Sequence, residues 1–212
     1  PAGSVFWTSR DTDTEQPMHA LASSPRRLTA LVACLVAVMA FLQSTRVAAA
    51  DPAVQFMQRV ANELLIASRS KSPELLTSVV QRYGDVGYLA NYALGSYRGQ
   101  LAPADRPGYT TGMVRFIGRY AAQQTPKYPV ARYEILSSVQ GGSGIMVDSR
   151  IHLRDGTVYE VRWLLAKYGS TYRVRDAMVY AFWMTPFLKS LFENYIAENG
   201  GNVKALVAVL TR

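Results

Sequence analysis

The chain has 212 residues, 49% hydrophobic and 18% charged, with 23 Lys and Arg against 15 Asp and Glu for a formal charge of +8. That length and apolar share can bury one sizeable core, which excludes a disordered chain and a disulfide scaffold. The positive excess favours anionic partners, and the absence of any Lys/Arg run or basic-aromatic RNP-like motif makes lipid headgroups or an acidic protein surface better candidates than nucleic acid.

In chain order, the first feature is a leader. Arg26-Arg27, the apolar run Leu28 to Leu42 and the small residues Val47-Ala48-Ala49-Ala50 follow the charged, apolar and small-residue order of a secretory signal peptide. The run is too short for a comfortable membrane span. Residues 18–50 are therefore expected to form a signal peptide starting at Met18 and cleaved after Ala50, with residues 1–17 an upstream extension. A competing reading takes Leu31-Val32-Ala33-Cys34 as a lipoprotein box. With the leader removed, no cysteine remains and His152 is the one histidine. A Cys nucleophile, a Cys zinc cluster and a His-rich metal site are then excluded, and neither metal nor cofactor is expected.

Residues 51–212 read as a single domain. Asp51-Pro52 opens a helix whose Val54, Met57, Val60, Ala61, Leu64 and Leu65 make one apolar stripe. Ser72-Pro73-Glu74 starts a second, ended by Gly84. A third is expected from Val86 to Arg98. After a break at Pro103 to Pro107, a fourth runs to about Gln124 with Met113, Phe116, Ile117 and Tyr120 inward.

From Pro129 the apolar period drops to two. Ala131, Tyr133 and Ile135 share one face; so do Ile145, Val147, Ile151 and Leu153, then Tyr159, Val161, Trp163 and Leu165, then Tyr172, Val174, Asp176 and Met178. Gly141 to Gly144, Arg154-Asp155-Gly156 and Tyr168-Gly169-Ser170 are turn signals of hairpin length. A turn over Tyr180 to Thr185 precedes a helix carrying Phe187, Leu188, Leu191, Phe192, Tyr195 and Ile196. Asn199-Gly200-Gly201 caps it, and a short helix from Val203 to Leu210 closes the chain. The fold class is α+β: a curved antiparallel sheet of about four strands, its greasy face covered by N- and C-terminal helices around a hydrophobic pocket.

The glycines from Gly141 to Gly144 are no phosphate loop, because they lack the Lys-Ser/Thr pair and join two strands. His152 falls on the polar side of its strand, between Arg150 and Arg154. Asp176 falls on the apolar side, where a carboxylate must be hydrogen-bonded, paired or kept protonated. Two readings stay open for it: a structural role capping a helix or pairing an Arg, or a general base with Tyr133 or Tyr159 as hydroxyl donor. The aromatics are numerous, and flat rings are good cavity walls.

Three segments carry a resemblance. Asp85 to Tyr97 is similar to the "D…A…LG.YW" segment of the MlaC, or toluene-tolerance, family of phospholipid-binding proteins of the periplasm. Val161 to Leu165 with Tyr172 to Val179 resembles its "V.WRL…G.W+I.DV.V" strands, and Asn199 to Val207 its closing "NGG.V..LI..L" helix. The chain departs from the family at Tyr180-Ala181-Phe182-Trp183, where Glu-Gly-Val-Ser is usual, and at Pro186-Phe187-Leu188, where an Arg is expected. A hopanoid-associated branch with Trp in this segment is a nearer likeness.

The resemblance implies an NTF2-like sheet and a periplasmic carrier of phospholipid or a hopanoid-type lipid, without catalysis. Such a carrier shuttles lipid between outer and inner membranes. Its implied partners are an inner-membrane ABC transporter with a membrane-anchored lipid-binding component, and an outer-membrane lipoprotein complex. On this reading Tyr88, Leu89, Tyr92, Met113, Phe116, Tyr120, Val147, Ile151, Val161, Trp163, Met178 and Trp183 line the tail pocket. The rival is a cone-shaped isomerase or dehydratase using Asp176 as base.

Overall fold

The computed structural model describes residues 51–212; the expected leader, its cleavage site and the lipoprotein box lie outside the described residues. Six α-helices and five strands follow one another as α1 (Pro52–Ser70), α2 (Pro73–Tyr83), α3 (Val86–Ala93), α4 (Arg106–Gln124), β1 (Val130–Gly141), β2 (Gly144–Leu153), β3 (Val158–Tyr168), β4 (Thr171–Val179), β5 (Phe182–Trp183), α5 (Met184–Glu198) and α6 (Val203–Leu210). The strands form one open, curled antiparallel sheet in the order β1-β2-β3-β4-β5, as consecutive hairpins require. None of these helices is long and apolar enough to cross a membrane.

Local chemistry sets the helix starts. The Asp51 carboxylate accepts from the Ala53 N–H at 2.8 Å and from Ser138 Oγ, which ties the head of α1 to β1 and holds that carboxyl below its ordinary range. Ser72 accepts from the Leu75 N–H at 3.2 Å, and Asn202 from the Lys204 N–H at 3.0 Å. The third helix is shorter than its pattern suggests. It ends at Ala93, and a 3-10 stretch follows from Gly95 to Gln100. Gly95 takes φ +50, and a side chain there would run into Glu193, whose Oε1 accepts from the Ser96 N–H at 2.8 Å.

Bulges alter the alternation in two strands. In β4, Leu164 faces Asp176 and Leu165 faces Val174, so Arg175 is an extra residue. Tyr172 and Val174 face the helices, but beyond the bulge Ala177 and Val179 take the inward positions, opposite Trp163 and Val161. Met178 therefore leaves the phase of Tyr172 and Val174 and pairs with Arg162 on the outer face. In β1, bulges near Ala131 and after Ile135 put Tyr133 and Ile135 inward and then Ser138, opposite Ile151, Ser149 and Val147. The segment expected as a plain turn contains a tight hairpin: Val179 faces Phe182 across Tyr180 and Ala181, and β5 leads into α5 at Met184.

The outer sheet face is a charge ladder. Arg162 clasps Asp148 through Nε at 2.6 Å and Nη2 at 3.0 Å, Arg150 stands 3.7 Å from Glu160, and His152 Nε2 lies 3.2 Å from Glu134. His152 thus sits among charges on the solvated face.

The apolar interior is divided into three clusters. Tyr109, Met113, Phe192, Ile196, Leu206 and Leu210 pack α3, α4, α5 and α6 together. Phe56, Met57 and Val60 of α1 pack on Val147 and Leu165 of the sheet. Ala67, Leu76, Val79 and Ala122 join α1, α2 and α4, and there Gly118 lets the α4 backbone approach Thr77 and Pro73 more closely than a methyl group would permit.

The apolar cavity between the sheet and the helices

Where these three clusters meet they leave a cavity of about 300 Å³. Its wall takes Val60 and Leu64 from α1; Val79, Val80 and Tyr83 from α2; Leu89 from α3; and Phe116, Ile117, Tyr120 and Ala121 from α4. Trp163 of β3, residues Val174 to Ala177 of β4, and Met184, Thr185, Phe187 and Leu188 of α5 complete it. Tyr120, Met184 and Phe187 are 43, 39 and 50% exposed, so the mouth opens between α4 and α5. The Tyr120 ring lies 6.2 Å from Phe116 and 6.5 Å from Phe187, forming an aromatic jamb.

The polar groups on the sheet side of the wall are engaged with one another. Trp163 Nε1 donates to Ser149 Oγ at 2.9 Å, and that hydroxyl donates to the Val161 carbonyl at 3.0 Å, which fixes the indole. Arg175, released by its bulge, donates from Nε to Asp85 at 2.9 Å and from Nη2 to Tyr168 at 3.1 Å. Asp85 is buried, accepts from Tyr168 at 2.8 Å and caps α3, so the guanidinium anchors that helix to β4. The same guanidinium lies 4.8 Å from the Tyr88 ring centre.

Asp176 borders the cavity beside the bulge. Its Oδ1 accepts from the Ala177 N–H and the Thr185 N–H, each at 2.8 Å, so it caps the first turn of α5 from outside the helix. Burial raises its carboxyl above the ordinary range against the pull of those N–H groups. Because the folded form then holds its proton to higher pH than the unfolded chain, the penalty for charging it appears as pH rises from about 4 toward its raised value. Asp176→Asn keeps an acceptor and removes that charge. The difference in urea midpoint between variant and wild type should therefore grow in the variant's favour as pH rises above about 4; a difference that is flat with pH would refute this.

Of the residues expected at a tail pocket, Leu89, Phe116, Tyr120 and Trp163 border this cavity. Met113 is fully buried in the helical cluster, and Val147 in the cluster under α1. Val161 is buried opposite Ser149, and half-buried Ile151 lies between Tyr133 and Tyr159. Tyr88 and Tyr92 pack on each other, ring centres 5.7 Å apart, with Arg175 over Tyr88. Met178 and Trp183 face each other across β4 and β5, and the bulge puts them on the outer side of the sheet, away from this wall. Sequence reasoning missed the walls supplied by α1 and α2, although Val60 and Leu64 belong to a stripe it had recognised. Among the described residues, no group of three or more His, Cys, Asp or Glu stands together to hold a metal ion.

A profile of the MlaC protein family matches residues 53–212. A search of curated proteins gives no match. Among solved structures, the chain is similar to a phospholipid-binding protein from Ralstonia solanacearum, solved in complex with a phospholipid. The two share 15% identity and superpose with a TM-score of 0.57 over 74% of this chain and 93% of that one. A greasy gap between a curled meander and its helical cover, together with a profile match running almost from the cap of α1 to the last residue, places the chain in the MlaC family.

Proposed function

We propose that this chain is a lipid carrier that holds acyl chains in the cavity between sheet and helices. The observation that carries this reading is the cavity itself: nearly all its lining is apolar, and its mouth is edged by Tyr120, Met184 and Phe187 instead of charge. Exposing two chains of about 16 carbons to water costs roughly 25 kcal/mol at about 0.8 kcal/mol per methylene, so a soluble shuttle must hide them. A volume of about 300 Å³ lies at the low end for ligand pockets. Two-chain cargo therefore requires α2 and α5 to part further from the sheet, and the seams between three small clusters offer lower resistance than one continuous core.

In this reading Leu89, Phe116, Tyr120 and Trp163 touch the tails together with Val60, Leu64, Val79 and Ile117, and no residue performs chemistry. The carrier works in the periplasm as the soluble component of an Mla-type ABC system. It takes phospholipid or a related lipid from an outer-membrane lipoprotein complex and hands it to a membrane-anchored partner of the inner-membrane transporter. The positive charge of residues 51–212, 19 Lys and Arg against 12 Asp and Glu, suits acidic docking partners and anionic membranes.

Mass spectrometry of an organic extract from purified protein tests this. About one phospholipid or hopanoid per chain is expected, and Asp176→Asn should retain it. A protein that carries no lipid and takes none from vesicles would overturn the carrier reading; turnover of a small substrate that vanishes in Asp176→Asn would favour the isomerase or dehydratase.

A further inference from the structure

Six large apolar side chains are exposed on this side of the described residues: Tyr120, Met184 and Phe187 border the cavity mouth, and Tyr128, Tyr180 and Phe182 stand outside its wall. Phe187 meets Tyr120, ring centres 6.5 Å apart, and α4 leads from Tyr120 toward Tyr128. Tyr128 packs on Tyr159 at 6.1 Å, and Tyr159 on Tyr180 at 5.0 Å. The hairpin then brings Phe182 and Met184, and α5 returns to Phe187. Tyr128, Tyr180 and Phe182 are 47, 66 and 71% exposed, which is large for rings that serve no core.

Two further observations select the occupant. Tyr180 and Ala181 take φ of +51 and +63, left-handed values that a two-residue hairpin demands and that glycine or asparagine meets without strain. Tyrosine at that tip keeps an amphipathic ring exposed to solvent while it packs on Tyr159. Next to Tyr128 lies a second hollow of about 180 Å³ lined by Arg69, Lys71 and Arg154, with no carboxylate in its wall. Arg69 donates to the Ala131 carbonyl at 2.9 Å, and none of the three cations forms an ion pair among the described residues. Leu64 and Ala121 border the cavity while Ser68 and Thr125 border this hollow, one turn or about 6 Å further along the same two helices.

We propose that these exposed rings and the basic hollow beside Tyr128 form a docking face for a phospholipid bilayer bearing anionic headgroups. Tyrosine and phenylalanine rings seat at the headgroup boundary, the three cations meet lipid phosphates, and the mouth faces the acyl region. Docked there, the carrier meets its membrane-held partners with the mouth against the bilayer, so tails pass to and from the cavity without a water gap. The purpose of the face rests on the lipid-carrier reading; its existence is measured separately.

The experiment is flotation of the purified protein with phosphatidylcholine vesicles, with and without phosphatidylglycerol, at low and high salt. Lys71→Gln combined with Arg154→Gln should weaken partitioning onto anionic vesicles roughly 30-fold, with little change on neutral ones and the difference erased by salt. Tyr180→Ser combined with Phe182→Ser should weaken it about tenfold on both. Neither pair touches the cavity wall, so folding midpoint and extracted lipid should stay at wild-type values. Wild-type protein that floats with neither vesicle, variants that float like wild type, or a face that binds only an acidic protein would overturn the proposal. Absence of lipid from the extract, with none taken up from vesicles, would sink the carrier reading and leave the flotation result standing.

Discussion

Replacing Phe192 by Ala is expected to lower the unfolding free energy by about 3–5 kcal/mol, read as a shift of the urea midpoint at unchanged slope. Phe192 is 2% exposed, on the face of α5 turned to α4. Its ring meets Tyr109 edge-on at 6.3 Å and Phe116 at 5.6 Å, contacts that add about 0.5–1.5 kcal/mol each beyond burial. Tyr109 cannot follow the missing ring, because its hydroxyl donates to the Ala90 carbonyl at 3.0 Å. Phe116 could collapse into the gap only by leaving the cavity wall, so the void stays open and the cost stays near the upper end. Phe187 lies five residues earlier on the same helix but is 50% exposed, and its replacement by Ala should move stability by only about 0.5 kcal/mol. Equal losses at the two positions would show that α5 does not face α4 as described.

The contrast between those two phenylalanines marks how far the sequence could be read. Caps and turns were plain: Asp51 and Ser72 start their helices because their side chains satisfy free N–H groups, and the glycine-bearing turns set an antiparallel meander. Period two identified the inward faces of β2 and β3 without error, since no bulge interrupts their pairing with each other. In β4 the same rule failed at Arg175, because alternation is a property of strand pairing and one extra residue resets it; nothing in Tyr172 to Val179 announces that residue. The cavity was harder still. A stripe such as Val60 and Leu64 shows that side chains turn inward, whereas a cavity is defined by which inward side chains find no partner, and that depends on all three clusters at once. The family likeness was more informative than periodicity here, since the departure at Tyr180 to Leu188 coincides with the hairpin and the α5 wall at the mouth.

Ala121→Trp is expected to cut the lipid recovered per chain at least tenfold without destabilising the fold. Ala121 faces the cavity from α4, between Tyr120 at the mouth and Ala122 in the cluster with Leu76 and Val79. An indole there occupies space that tails would otherwise fill, and in an apolar cavity of about 300 Å³ it gains contacts in place of strain. Each methylene displaced into water costs about 0.8 kcal/mol, so excluding two already exceeds the 1.4 kcal/mol that corresponds to a factor of ten. Ala121→Leu should lie between the two, giving a graded series in which lipid content falls as the side chain grows and the urea midpoint holds or rises. Were lipid content to stay constant across the series while Ala121→Trp remained folded, the tails would have to lie elsewhere, and the gap between the three clusters would be a packing defect instead of a container.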